Sequence, residues 1–285
     1  METRKPITTA RLRKMKEEKS PISVVTAYDY PSAMLAEQAG VEVLLVGDSL
    51  GNVVLGYDTT VPVTLDDILH HTKAVTRAAK TSFVVADLPF ATYHGSLDQT
   101  LRNAARLMQE GLAKAVKLEG GAEIAPAVQA LVRAGIPVMA HLGLTPQSIH
   151  QIGGFKVQGK TNEQAKKLLD DARALEEAGA FSVVLELVTD ELAREVTDAI
   201  SIPTIGIGAG ASCDGQVLVF HDLLGFAADT QPKRMVKEYA AVGSMIRGAL
   251  QQYVQEVKSR QFPAEQHTFH RPEDVAVHLY GGGNS

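Results

Sequence analysis

The stretch VEVLLVGDS (41–49), an apolar run of β-branched and leucine residues that ends in glycine, an acid and a hydroxyl, decides how the rest of the chain reads. A run of this kind is too short for a buried helix, and it is uniformly apolar where a half-exposed strand would alternate. It fits a strand covered on both faces, as in parallel α/β proteins. The same style recurs at ISVVTAYD (22–29), SFVVADLP (82–89), AVKLEG (115–120), PVMAHLG (137–143), FSVVLELV (181–188) and IPTIGIGAG (202–210). QVLVFHD (216–222) is an eighth candidate, although DGQVLVFHDLLG also reads as a helix with Val217, Phe220 and Leu224 on one side.

Helical stretches fill most of the gaps, at 31–40, 64–80, 96–111 and 162–180. In the last, Ala165, Leu168, Leu169, Ala172 and Leu175 recur at helical spacing. Ala39-Gly40, Ala134-Gly135 and Ala178-Gly179 supply a glycine just past a helix end, where a left-handed residue turns the chain toward the next strand. Strand and helix so alternate about eight times, which predicts a (β/α)₈ TIM barrel rather than an open sheet. The five residues from Ala211 to Gly215 are too few for a full crossover helix between the last two strands. Residues 8–18 predict a helix capping the barrel bottom, and 227–258 a C-terminal helical extension. With 1–20 as an N-terminal extension and 259–285 as a polar tail, residues 1–285 read as one domain.

Composition narrows the function classes. Hydrophobic residues make up 45% of the 285, and 33 acidic against 28 basic side chains leave a net charge of -5, with no basic footprint for nucleic acid. The single cysteine, Cys213, allows no intrachain disulfide. No long apolar run suggests a membrane span, and the N-terminus lacks a secretory pattern, so a cytoplasmic protein is expected.

Charges interrupt the strands at one end. Asp48, Asp87, Lys117, Glu119, His141 and Glu186 all lie at or near the C-terminal ends of apolar runs, the barrel face that carries chemistry. Any one of them alone reads equally well as an ion pair or a cap, but six together point to a site. Lys117 and Glu119 are two apart on one strand and share a side. Asp48, Asp87 and Glu119 from three strands would repel one another without a cation, and an all-oxygen set selects a hard ion such as Mg²⁺. Lys117 is then suited to an anionic substrate's carboxylate. Asp29, before Tyr30-Pro31, reads as a helix cap. Asp66 and Asp67, four residues before His70 and His71, read as a solvated helix face. The G-x-G-x-x-A match at Gly206, Gly208 and Ala211 has no clear helix after it and is set aside.

Longer motifs carry a resemblance. TAYDYPSA (26–33), VGDSLGNVVLGYDTTVPVTLDDILHH (46–71), ADLPF (86–90), VKLEGG (116–121), HLGLTPQSIHQIGGFKVQGK (141–160), IGIGAG (205–210) and CDGQVLVFHDLLG (213–225) resemble the ketopantoate hydroxymethyltransferase family over about 25–285. That family lies in the phosphoenolpyruvate/pyruvate-binding class of barrels. The resemblance implies transfer of a one-carbon unit from 5,10-methylenetetrahydrofolate to 3-methyl-2-oxobutanoate (α-ketoisovalerate), giving 2-dehydropantoate for pantothenate synthesis through a Mg²⁺-stabilised enolate. It implies Asp48 and Asp87 as direct Mg²⁺ ligands, with Glu119 completing the metal site directly or through water. Asp48, Ser49, Asp87 and Lys117 would contact the 2-oxo acid, with His141 a pocket residue nearby and Glu186 the proton acceptor. It further implies a homo-oligomer, commonly a decamer of two stacked pentamers.

Three other readings compete. One is a metal-free aldolase with Lys117 as a Schiff-base lysine, another a Mg²⁺-dependent 2-oxo acid lyase of the same barrel class, and the third a non-catalytic barrel that senses an oxo acid.

Overall fold

Eight parallel strands close into one barrel in chain order, β1 pairing with both β2 and β8. They are β1 (Ile22–Thr26), β2 (Val43–Val46), β3 (Phe83–Asp87), β4 (Ala115–Glu119), β5 (Val138–Gly143), β6 (Ser182–Glu186), β7 (Thr204–Ile207) and β8 (Gly215–Leu218). The computed structural model describes residues 4–227 and 233–271.

Each strand is apolar on both sides because both sides are covered. Leu44, Val46, Val84, Ala86, Val116, Leu118, Ala140, Val183 and Leu185 face outward and pack with the helices in one cluster. Their alternates, including Val24, Val43, Leu45, Val85, Ala115, Met139, Val184, Ile205 and Val217, fill the barrel interior. The expected helices form at Tyr30–Gln38, Leu65–Ala78, Leu97–Gln109 and Asn162–Glu177. Asp29 does cap the first of them, its carboxylate accepting from the Ser32 amide at 2.7 Å. Gly40, Gly135 and Gly179 hold φ of +87°, +85° and +99°, the left-handed turn that a side chain resists.

The helix Thr9–Glu17 closes the barrel bottom, driving Leu12 and Met15 into the inner cluster. Lys16 locks it there, donating to Thr197 O at 2.9 Å and to Asp214 Oδ2 at 2.8 Å, just ahead of β8.

The last connection needs no crossover helix. Gly215 pairs with Ile205, so residues 208–214 need only carry the chain back about two strand positions, ~7 Å at the usual rise, before β8 begins. Residues 215–223 satisfy both sequence readings in turn, as a strand to Leu218 and one helical turn at Phe220–Leu223.

The final helix is shorter than expected. It spans Val242–Lys258 instead of beginning near 227, and residues 228–232 lie outside the described residues. The segment before it is committed elsewhere. The Tyr239 amide donates to Leu223 O at 2.9 Å, and the first-turn amides of Val242 and Gly243, which have no partner within the helix, donate to Leu224 O and Gly225 O at 3.0 Å, which fixes where the helix starts. Within the polar tail, a 3₁₀ turn forms at Glu265–His267, and 272–285 lie outside the described residues. Among the described residues no helix is long and apolar enough to cross a membrane.

Glu37 clamps the first outer helix to the start of β3. It accepts from the Thr81 amide and hydroxyl at 2.7 and 2.6 Å and from the Ser82 amide at 2.9 Å. Partial burial works against its charge, but these bonds prevail and hold the carboxyl at about 2, below the usual glutamate value. A depressed carboxyl stabilises the fold above the unfolded value and loses that contribution as pH falls through the folded one. Glu37→Gln should therefore lower the urea midpoint at pH 7 and lose less than wild type between pH 4.5 and 2. Parallel acid dependence in urea titrations of the two proteins would contradict this.

Candidate active site

The alternation that fills the barrel with apolar side chains continues to its upper end, where the side chains become ionisable. Asp87, Lys117, Glu119, His141 and Glu186 stand on the inward-facing positions of β3, β4, β5 and β6. Register sets neighbours side by side, Asp87 with Lys117 and Glu119 with His141, while Glu186 pairs with Gly143. Gly143 has φ of +90°, and a Cβ there would collide with the Glu186 carbonyl oxygen. Glycine is required at that contact.

Asp48 and Ser49 arrive differently. Both lie on the turn beyond β2, and the Asp48 amide donates to Asp87 Oδ2 at 2.9 Å. The two acids implied as metal ligands are thus immediate neighbours. Ser49 Oγ lies 2.7 Å from the hydroxyl of Tyr28, which is fully buried on the loop after β1.

Lys117 Nζ sits 2.7 Å from Asp87 Oδ1 and 3.5 Å from Glu119 Oε1. The Asp87 contact is an ion pair without hydrogen-bond geometry, and Oδ1 has no other partner. Burial opposes the Lys117 charge, but the carboxylates of Asp87, Glu119 and Asp48 outweigh it and raise the ammonium above its ordinary range. Carboxylates this close favour the ammonium over the free amine that a Schiff base needs, which disfavours the metal-free aldolase reading.

His141 spans two acids, with Nδ1 3.3 Å from Glu119 Oε1 and Nε2 3.3 Å from Glu186 Oε2. Burial pulls its pKa down and the Glu119 carboxylate pushes it up, leaving it at about 9. Glu119 is held at about 2 because Lys117 and His141 overcome its burial. Asp48 moves the other way. Its carboxyl is pushed well up by burial and by the charges of Asp87 and Glu119, and Asp87 is raised by burial despite Lys117.

These two crowded acids fit a hard divalent cation. Mg²⁺ takes one or two carboxylates and keeps its remaining positions for water and substrate oxygens. A cation would relieve their repulsion and engage Asp87 Oδ1, which has the Lys117 ion pair but no hydrogen bond. Glu119 is less free than expected, since Lys117 and His141 face its Oε1 and the Gln147 amide donates to Oε2 at 3.0 Å. No group of three or more His, Cys, Asp or Glu forms a ready cage among the described residues. Asp66 and Asp67 are occupied elsewhere, by Arg106 and by the Thr64 capping box, as a surface helix requires.

Sequence reading missed Gln147 and Tyr93. Gln147 Nε2 donates to Asp48 Oδ2 at 2.9 Å and to Leu88 O at 3.1 Å, while its Oε1 lies 2.8 Å from the Tyr93 hydroxyl. Both side chains are buried, and they hold Asp48 and the end of β4 together. Gln147 lies within the HLGLTPQ motif, but a neutral amide in a loop gives no signal of a partner on another strand.

Above the charges opens a chamber of about 880 Å³. Leu45, Val184, Ile207 and Val217 line its apolar parts near the strand ends, and loop residues after β2, β5 and β8 form its upper walls.

The ketopantoate hydroxymethyltransferase family model matches residues 6–265. A 3-methyl-2-oxobutanoate hydroxymethyltransferase of Carboxydothermus hydrogenoformans is 58% identical over 274 residues, covering 96% of this chain and 99% of that protein. One of Bacillus pumilus is 57% identical over 269 residues, covering 94% and 96%. The chain belongs to the ketopantoate hydroxymethyltransferase family. It is accordingly a transferase enzyme. Solved structures similar in fold include a phosphonopyruvate hydrolase in complex with oxalate and Mg²⁺, with TM-score 0.59, 13% identity and coverage of 92% of this chain and 93% of that one. A 2,3-dimethylmalate lyase of the phosphoenolpyruvate mutase/isocitrate lyase superfamily aligns with TM-score 0.55, 21% identity and coverage of 90% and 89%. At these identities the likeness shows the barrel fold alone.

Gln147→Leu should destabilise the fold by about 1–3 kcal/mol, since it leaves buried acceptors unpaired. Urea unfolding checks this, and a loss under 0.5 kcal/mol, within the range of ordinary surface changes, would mean that the Gln147 bonds hold nothing in place.

Proposed function

We propose that this enzyme transfers a hydroxymethyl group to 3-methyl-2-oxobutanoate, giving 2-dehydropantoate for pantothenate synthesis. The donor is 5,10-methylenetetrahydrofolate, whose methylene carbon is transferred while water supplies the hydroxyl oxygen. The observation that carries this reading is the division of the barrel mouth into two halves. A buried ammonium stands beside two crowded carboxylates, and a third carboxylate, Glu186, faces the same chamber from β6.

In this reading Asp48 and Asp87 hold Mg²⁺, with Glu119 acting on the site through Lys117, His141 or water. Bound there, Mg²⁺ supplies Lewis acidity that stabilises negative charge at the ketone oxygen. Lys117, kept charged by its neighbours, meets the substrate carboxylate. Ser49 contacts the acid with its hydroxyl oriented by Tyr28. Leu45, Val184 and Val217 suit the branched alkyl group. Glu186 takes the C3 proton as general base, oriented by the His141 ring, which is itself held against Glu119. The resulting carbanionic C3 bonds to the donor's methylene carbon as one of its two C–N bonds breaks. Water displaces the second nitrogen to leave the hydroxyl, and tetrahydrofolate departs with its two nitrogens protonated, one proton from C3 through Glu186 and one from the water.

The same reading carries a homo-oligomer, expected as two stacked pentamers. The helix Val242–Lys258 supports assembly, because it has no buried residue and leaves Met245, Ile246, Leu250, Tyr253 and Val254 exposed. A cytoplasmic location and the absence of nucleic-acid or membrane partners complete the proposal.

With Mg²⁺ present, the protein should exchange the C3 proton of 3-methyl-2-oxobutanoate in D₂O without any folate. Proton NMR that shows the C3 signal undiminished would overturn the reaction. Asp87→Ala should abolish Mg²⁺-dependent turnover with the circular dichroism spectrum retained, and full activity in that variant would remove Asp87 from the metal site. Glu186→Gln should abolish C3 exchange while the acid still binds by calorimetry. Exchange at the wild-type rate would transfer the base role to another group.

A further inference from the structure

The chamber is too large for the oxo acid alone. 3-Methyl-2-oxobutanoate has eight non-hydrogen atoms, and granting each the ~30 Å³ that one water occupies in the liquid gives about 240 Å³. The chamber holds about 880 Å³. The acid's partners, Lys117, Asp48 and Asp87, all lie at its inner end, so most of the empty space lies outward, between the loops.

The outer walls have their own chemistry. On the lip after β5, Phe155 is 67% exposed and Val157 38%, with Ile149 beside them lining the same space. Apolar side chains left open around a cavity mark a ligand surface more often than a folding surface. The segment Lys233–Met235 lines the same chamber. Met235 fixes its place by packing against the inner barrel cluster, so close over Gly208 that a Cβ there would lie 2.7 Å from its Sδ. Two cations follow from that anchor. Lys233 is neutralised by Asp222 at 2.8 Å. Arg234 lines the chamber and has no carboxylate partner among the described residues.

An aromatic and aliphatic ledge that shares one chamber with a guanidinium lacking a carboxylate partner among the described residues suits a flat conjugated ring carrying an anionic tail. We propose that the outer half of the chamber is the seat of the one-carbon donor, with its pterin-containing portion against Phe155 and Val157 and its glutamate carboxylate at Arg234. This assignment rests on the transfer reading above and gives the co-substrate its own residues. A guanidinium binds a carboxylate through two parallel N–H bonds, so Arg234 distinguishes tailed from tailless pterins, whereas Phe155 serves both.

The test measures binding to the full chain by calorimetry, with two probes, tetrahydrofolate and 6-methyltetrahydropterin, the second lacking the glutamate tail. Wild type should bind tetrahydrofolate more tightly. Arg234→Gln should weaken tetrahydrofolate by about tenfold or more, the loss of one charge-assisted contact, and leave the tailless pterin within about twofold. Phe155→Ala should weaken both probes. Thermal midpoints of the variants report whether the fold survives, and Arg234→Lys, which keeps the charge but not the fork, should fall between wild type and Arg234→Gln. Equal tetrahydrofolate affinity in wild type and Arg234→Gln would overturn the assignment. Proton exchange at C3 by wild type separates the two claims. Exchange without tail-dependent binding leaves the reaction standing and removes this subsite, while tail-dependent binding without exchange supports the subsite and removes the reaction.

Discussion

The structure depends on keeping charge buried at the end of a close-packed barrel. Lys117 is the centre of that arrangement, 2.7 Å from Asp87 and 3.5 Å from Glu119, with its side chain 5% exposed. An ion pair removed from water loses hydration that its Coulomb attraction only partly restores, so every member depends on the others. Four acidic side chains meet Lys117 and His141 there, an excess of acidic groups that crowds Asp48 and Asp87. That excess makes the site receptive to a divalent cation.

The lower barrel exists to make this arrangement rigid. Its interior is filled by Val24, Val43, Leu45, Val85, Met139 and Ile205 and closed from below by Leu12 and Met15. Side chains packed this densely do not yield, so the polar groups above them keep their spacing. The division of labour follows from geometry. Most ionisable groups of the candidate site stand on strand ends, with Asp48 and Ser49 on the turn after β2, and the outer walls of the chamber come from loops. Leu187 marks the junction: directly after Glu186, it adopts a left-handed φ of +47° while its amide donates to Ile207 O at 2.9 Å. A non-glycine residue tolerates that conformation only where surrounding contacts enforce it.

Barrels similar in fold serve a phosphonopyruvate hydrolase and a 2,3-dimethylmalate lyase. What a common barrel offers is a ring of strand ends facing one opening, and specificity must come from the side chains placed on it and the loops around it. Here those loops bring Tyr28 to Ser49 and Gln147 to Asp48. Tyr28 and Gln147 do not line the chamber, yet each restricts an oxygen of a residue that does.

The sequence alone determined the strands, most of the helices and the sidedness of the site. Those properties depend on neighbours a few residues away. Uninterrupted apolar runs declared strands covered on both faces, Ala-Gly pairs declared helix ends, and the two-residue spacing of Lys117 and Glu119 put them on one side. The motif 46–71 singled out Ser49, and the charge near the end of the run 181–188 singled out Glu186. Tertiary structure decided the rest. Gln147 and Asp48 are 99 residues apart and bond only because the barrel closes, and Glu119 turned out to be engaged by Lys117, His141 and Gln147 together. The short return from β7 to β8 became possible through a register offset that no local pattern encodes. The start of the last helix was likewise set by backbone bonds to 223–225. Period and propensity act along the chain, whereas a buried polar atom's partner is chosen by whatever closure brings within 3 Å of it.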